Sequence, residues 1–269
     1  MTHPFTPGPN EEDLHSLTRF LLACFDKLDA LKHQGGPAPE RLPDTARTGG
    51  TVHQTSWHAG KLLAQAALSD AATTADGREA IAVLRHLTEA TTSAAARAAD
   101  SISALAHGDT DSSERLLAQA RAHLAKTPVA VQDVTAALLR HDGVLHAQEQ
   151  AARLGLGADT VKVSEAQRKA LASLARGDGV IRRSSTGIRE VTSPLAAHHL
   201  RATTIDALVD RQLVALTPLP QDDRYGIRLT PAGIQALLSA RPVPRRSAVV
   251  TSPVPATPRS TARPASSRR

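Results

Sequence analysis

RATTIDALVDRQLVALTPLPQDDRYGIRLTPAG, residues 201–233, is the most informative stretch of this chain. Ile205, Leu208 and Val209 recur at helical spacing, which predicts a helix over about 202–212. Leu213-Val214-Ala215-Leu216 then reads as a strand, Pro218 to Asp223 as a polar break, and Tyr225 to Leu229 as the return strand. Thr230-Pro231 opens a last helix, because the missing N–H of proline is harmless in a first helical turn. Ile234, Leu237 and Leu238 are its expected buried face. Upstream, Ser164 caps a helix that carries Ala170, Leu171 and Leu174 inward, and Gly177-Asp178-Gly179 stops it. Val180-Ile181-Arg182 and Gly187 to Val191 then predict a short hairpin or two extended segments, and Ser193-Pro194 a brief helical turn through His199.

A helix, a leucine-led strand, a polar turn and a strand closing on Arg228-Leu229-Thr230-Pro231-Ala232-Gly233 resemble the winged helix domains of bacterial regulators of the MarR and PadR type. The resemblance covers residues 163–240, about 78 of 269. It implies a winged helix-turn-helix domain with a small β-hairpin wing, sequence-specific binding to a duplex DNA operator, and transcriptional regulation. The sequence departs from the family pattern upstream, where the helix before the recognition helix is short and a hairpin at 180–191 precedes it.

The residues themselves give a physical case beside the resemblance. A helix fits the major groove, and its first residues reach base edges. Arg201, Thr203 and Thr204 are therefore the candidate readers, with Ile205 and Leu208 anchoring the opposite face. Arg211, about two turns on, is assigned to a phosphate or to the helix end. Arg224 and Arg228 flank the wing strand, and Arg182, Arg183 and Arg189 come from the preceding hairpin; all five are candidate phosphate contacts. Asp206, Asp210, Asp222 and Asp223 would repel phosphate and are expected to face away.

Working outward, residues 11–155 read as four or five amphipathic helices, which is most economically an antiparallel bundle serving oligomerisation or a partner. Asn10 caps a helix over 11–32. Three prolines and four glycines predict a loop over 34–50, and helix resumes over 55–70 around Trp57, Leu62 and Leu63. A long helix is expected over 75–106, one capped by Asp111 over 112–126, and one capped by Thr127 and running to about 153 with Gly143 inside it. Residues 1–10 read as a flexible leader, and residues 241–269 as a disordered basic tail. The expected fold class is thus mainly α, with an N-terminal bundle and a C-terminal winged helix-turn-helix.

Charge is distributed unevenly. Residues 1–162 carry 15 Lys/Arg against 19 Asp/Glu, residues 163–240 carry 10 against 7, and residues 241–269 carry 7 arginines and no acid. That concentration attracts phosphate backbones. Cys24 is the one cysteine, so no intrachain disulfide forms, and its Leu/Phe surroundings make it a core residue. Twelve histidines invite a metal reading, but His53/His58 and His141/His146 are five apart and His198-His199 are adjacent, spacings that do not stack on one helical face. No HExxH, P-loop, GxGxxG or GxSxG occurs. These readings predict no catalysis, no metal and no cofactor. The expected partners are duplex DNA and a second copy of the chain, with no membrane; the expected location is cytoplasmic and nucleoid-associated. The alternatives are a protein-interaction scaffold that uses the winged helix as a docking module, and a plasmid or phage replication or partition accessory factor.

Overall fold

A computed structural model of the protein describes residues 8–157, 161–177, 179–184, 187–192, 200–220 and 223–239. The chain is mostly helical, with a small antiparallel sheet near its C-terminus. The leader up to residue 7, the turn at 193–199 and the tail at 241–269 lie outside the described residues.

Helix α1 (Glu11–Lys32) starts at the cap expected of it. The Asn10 side chain accepts from the Asp13 N–H, and the Asp13 carboxylate accepts from the Asn10 N–H. Leu14, Leu17, Leu21, Cys24, Leu28 and Leu31 form its buried stripe. Helix α2 (Ala38–Leu68) overturns the loop expected over 34–50. Pro39 sits in the first turn, where proline suits a helix, and Pro43 removes one backbone bond. Tertiary packing outweighs that loss, because Arg41, Thr45, Thr48, Gly49 and Val52 are all buried. Gly49 is a contact residue rather than a breaker, since a Cβ there would stand 2.9 Å from Ile102 Cδ1 of α3. Trp57 lies within this helix, as expected, with its side chain 66% exposed.

A 3-10 turn (Asp70–Thr73) leads to α3 (Ala75–Ala106), whose bounds match the expected span. Helix α3 is central and packs on α2, α4 (Thr110–Leu124) and α5 (Thr127–Leu154). The cap of α4 is Asp109 rather than Asp111, and it accepts from the Ser112 N–H. Thr127 is the first residue of α5 rather than its cap, and its hydroxyl donates to the Leu124 carbonyl.

Helix α5 belongs to two cores. Val131, Val134, Ala137 and Leu138 join the bundle core, whereas Ala147, with Val144 and Ala151, joins the C-terminal core. Gly143 lies where one core gives way to the other. It does not interrupt the helix; it allows α6 (Glu165–Leu174) to approach so closely that a Cβ would overlap the Ala172 carbonyl oxygen. Alanine is the better helix former, by about 1 kcal/mol. We nevertheless expect Gly143→Ala to lower stability by about 1–3 kcal/mol in urea unfolding, because backbone cannot yield as a side-chain tip can. A more stable variant would mean that the two helices do not touch there.

After α6, capped by Ser164 and Gln167, come β1 (Val180–Ser184), β2 (Gly187–Thr192), α7 (Ala202–Asp210), β3 (Val214–Pro218), β4 (Arg224–Leu229) and α8 (Pro231–Ser239). The four strands are ordered β2-β1-β4-β3, all antiparallel. Leu171, Leu174, Ile181, Ile205, Leu208, Ile227 and Ile234 fill the core beneath them. In α8, Ala236 is buried and Leu238 is exposed, so the inward face is turned slightly from the expected one. Thr230 fastens the start of α8, donating to the Gln212 carbonyl and accepting from the Gly233 N–H. No described helix is long and apolar enough to cross a membrane.

One buried ionic cluster joins the bundle to the C-terminal unit. Asp76, in the first turn of α3, accepts from Arg168 Nη1 of α6 at 2.6 Å and Nη2 at 3.1 Å, and from Arg140 Nε of α5 at 2.7 Å. All three residues are more than nine-tenths buried. At the rim Glu165 accepts further bonds from Arg168 and Glu79 accepts from Arg140 Nη2, and Lys169 closes on Glu79 at 3.0 Å.

Candidate nucleic-acid interface

The pleat of the sheet sorts the expected phosphate contacts. Residues two apart on a strand share a face, and directly paired residues on antiparallel strands share it too. On β4, Tyr225, Ile227 and Leu229 turn toward the core, leaving Arg224, Gly226 and Arg228 outward. Arg182 of β1 pairs with Arg224, so the two arginines stand side by side on the outer face. Thr217 and Ala215 of β3, opposite Gly226 and Arg228, complete a face of small residues. Arg182, Arg224 and Arg228 are all exposed, and none makes an ion pair or side-chain hydrogen bond with a residue whose side chain is described. Like charges paired directly across a ladder lower stability, so the three arginines give this surface an excess of positive charge, although the register also sets Glu190 of β2 opposite Arg182.

The other expected residues are placed differently. Arg183 is exposed beside a β-bulge, and Arg189 is the residue that the bulge leaves without a cross-strand partner, since Arg182 pairs with Glu190 and Arg183 with Ile188. Arg211 follows α7 and is engaged within the protein. Its Nη2 donates to the Lys162 carbonyl at 2.7 Å and its Nη1 to Gln167 Oε1 at 3.1 Å, tying the end of α7 to the start of α6.

No protein-family model, curated protein or solved structure matches this chain.

The start of α7 is divided between two surroundings. Arg201 is its N-cap, without a side-chain capping bond, so Thr203 lies inside the first turn and caps nothing. Thr203 is exposed. Thr204 is half-buried and, with Arg201, lines a cleft of about 330 Å3 whose opposite wall includes Glu79, Asp133 and Lys169. A duplex reaching for Thr204 would therefore meet bundle carboxylates, whereas Thr203 stands clear of them. Asp210 is exposed and Asp206 half-buried, and Asp223 adopts a left-handed turn conformation before β4. Sequence reasoning missed the pairing of Arg182 with Arg224. The residues are 42 positions apart, and nothing in either segment announces its partner.

Proposed function

We propose that the chain binds duplex DNA through its C-terminal unit and acts as a transcriptional regulator. On this reading residues 163–240 form a winged helix-turn-helix, with α7 as the reading helix and β3–β4 as the wing. The observation that carries it is the outer sheet face, with Arg182, Arg224 and Arg228 exposed, without an ion pair to any residue whose side chain is described, and two of them side by side. A phosphate backbone removes the repulsion between them and releases its own counterions in doing so. The order α7–β3–turn–β4 supports the same reading, as does the exposure of Thr203 at the helix start. The seven arginines of residues 241–269 add affinity without regard to sequence. A second copy of the chain fits a two-fold operator, which needs two readers about one helical turn apart.

The test is a titration of the full-length protein with random and genomic duplexes at several salt concentrations. The three sheet arginines alone predict that log K falls linearly against log salt with a slope of about −3, steeper where tail arginines also meet phosphate. Absence of duplex binding, or binding indifferent to salt, overturns the proposal and favours a protein-docking role for the same unit.

A further inference from the structure

The cleft of about 330 Å3 between the bundle and the start of α7 has a volume near the lower end of the range for small-molecule sites. Glu79, Asp133 and Arg140 line it from the bundle, Lys169 and Ser173 from α6, and Arg201 and Thr204 from α7.

The cleft holds donors that lack acceptors. Arg140 is more than nine-tenths buried. Its Nε donates to Asp76 at 2.7 Å and its Nη2 to Glu79 at 3.2 Å, but among the described residues Nη1 finds no acceptor. A charged donor left unmet in a buried residue is costly. Nη1 is not sealed inside the protein, so it opens on the cleft that Arg140 lines. Helix α7 begins in the same cleft without a side-chain cap, and its N-cap residue, Arg201, is a cation. A helix start favours negative charge and disfavours positive charge. Among the described residues, neither the Arg201 guanidinium nor the Thr204 hydroxyl has a partner. Three independent features of one cleft therefore call for an anionic group: Nη1 of Arg140, the Arg201 side chain and the uncapped turn.

The acids of the cleft do not fill that role. Glu79 accepts from Lys169 with both oxygens, at 3.0 and 3.1 Å, as well as from Arg140, and Asp133 is not free either. They do restrict the ligand. A purely anionic molecule in so small a cleft would stand against both carboxylates, whereas an ammonium group on the same molecule turns that repulsion into attraction. Ala166, Ala170 and Leu200 supply an apolar patch for a short aliphatic group.

We propose that this cleft binds a free α-amino acid with an aliphatic side chain. Arg201, Nη1 of Arg140 and the start of α7 hold its carboxylate, and its ammonium group faces Glu79 and Asp133. The ligand bridges the bundle and α7. The site stands apart from the DNA-binding reading, since nothing in it requires a duplex.

The probe is L-valine, titrated into the full-length protein without DNA by calorimetry or ligand-observed NMR. N-acetyl-L-valine lacks the ammonium charge, and L-valinamide lacks the carboxylate. Saturable binding of valine is expected, with each analogue at least about tenfold weaker, the effect of losing a charge-assisted hydrogen bond. Arg201→Gln should weaken valine about tenfold for the same reason, and Arg182→Gln, on the sheet, should leave it unchanged. Both arginines are exposed, so both variants keep the fold, which thermal unfolding checks. No saturable binding of valine, an analogue that binds as well as valine, a folded Arg201→Gln protein that binds it like wild type, or an equal loss in Arg182→Gln overturns the proposal.

Discussion

Asp76→Ala is expected to cost the fold about 3–5 kcal/mol, the penalty for removing one partner of a buried ion cluster. The reason lies in what stays behind. Arg140 and Arg168 are buried, and without Asp76 their guanidinium groups keep only Glu79 and Glu165 at the solvent edge. Arginine does not escape by losing its proton, so the uncompensated charge must be hydrated by opening the contact between α3, α5 and α6. Equilibrium urea unfolding of the wild type and the variant measures the cost. The apolar replacement Asp76→Leu/Arg140→Met/Arg168→Met is expected to be close to neutral, because it removes the desolvation penalty together with the attraction. The pair of variants distinguishes a clamp that stabilises from one that only specifies how α6 sits on the bundle. A loss under about 1 kcal/mol in Asp76→Ala would show that the cluster does not hold the two cores together.

The same carboxylate gives a pH signature. Burial raises the Asp76 pKa, but hydrogen bonds from Arg168 and Arg140 outweigh it, so the folded-state value lies below the ordinary one. A depressed carboxyl contributes stability above its unfolded pKa, near 3.9, and loses it as pH falls through the folded value. The stability difference between wild type and Asp76→Ala should therefore be flat from neutral pH down to about 5 and shrink only in stronger acid.

None of that cluster was legible in the sequence. Asp76, Arg140 and Arg168 interrupt otherwise ordinary helical segments, and a contact across 92 residues leaves no local trace. What local physics controls was readable. Helix α3 follows from an unbroken apolar period, α1 from Asn10 and its acidic first turn, and α8 from the Thr230-Pro231 start. Local signals failed where packing overruled them. Pro37, Pro39, Pro43, Gly49 and Gly50 read as a loop, yet α2 runs through the last four of them because its inner face is buried against α3. Gly143 read as a weak point in α5 because the carbonyl it accommodates belongs to another helix. The candidate interface divides the same way. The strands carrying Arg182, Arg224 and Arg228 were predictable one at a time, but the ladder that brings β1 beside β4 was not. The cleft in front of Thr204 likewise depends on how the bundle docks, which periodicity does not reveal.

Replacing Arg182, Arg224 and Arg228 together by Gln is expected to weaken binding to any duplex on the order of 100-fold at 0.1 M salt and to flatten the salt slope by about 2–3. Phosphate contacts carry no base information, so specific and random duplexes should lose affinity by similar factors. Thr203→Ala should do the opposite. It stands exposed at the start of α7, and losing one base contact costs about 1–3 kcal/mol of discrimination while the salt slope stays. Stability separates a binding surface from a structural one. Arg182 and Arg224 repel each other across the β1–β4 ladder and bond to no residue whose side chain is described, and an exposed pairing of Arg182 with Glu190 opposite it would add little, so the triple Gln variant should unfold at about the same temperature as wild type. A surface that adds little to stability in the free protein and adds affinity in the complex is the expected mark of a site shaped for a polyanion. A variant that bound duplex as well as wild type would remove the sheet from the interface. One that melted earlier would show that the arginine stems pack on the sheet. The two readouts together therefore assign the outer face of the sheet to DNA or to the fold.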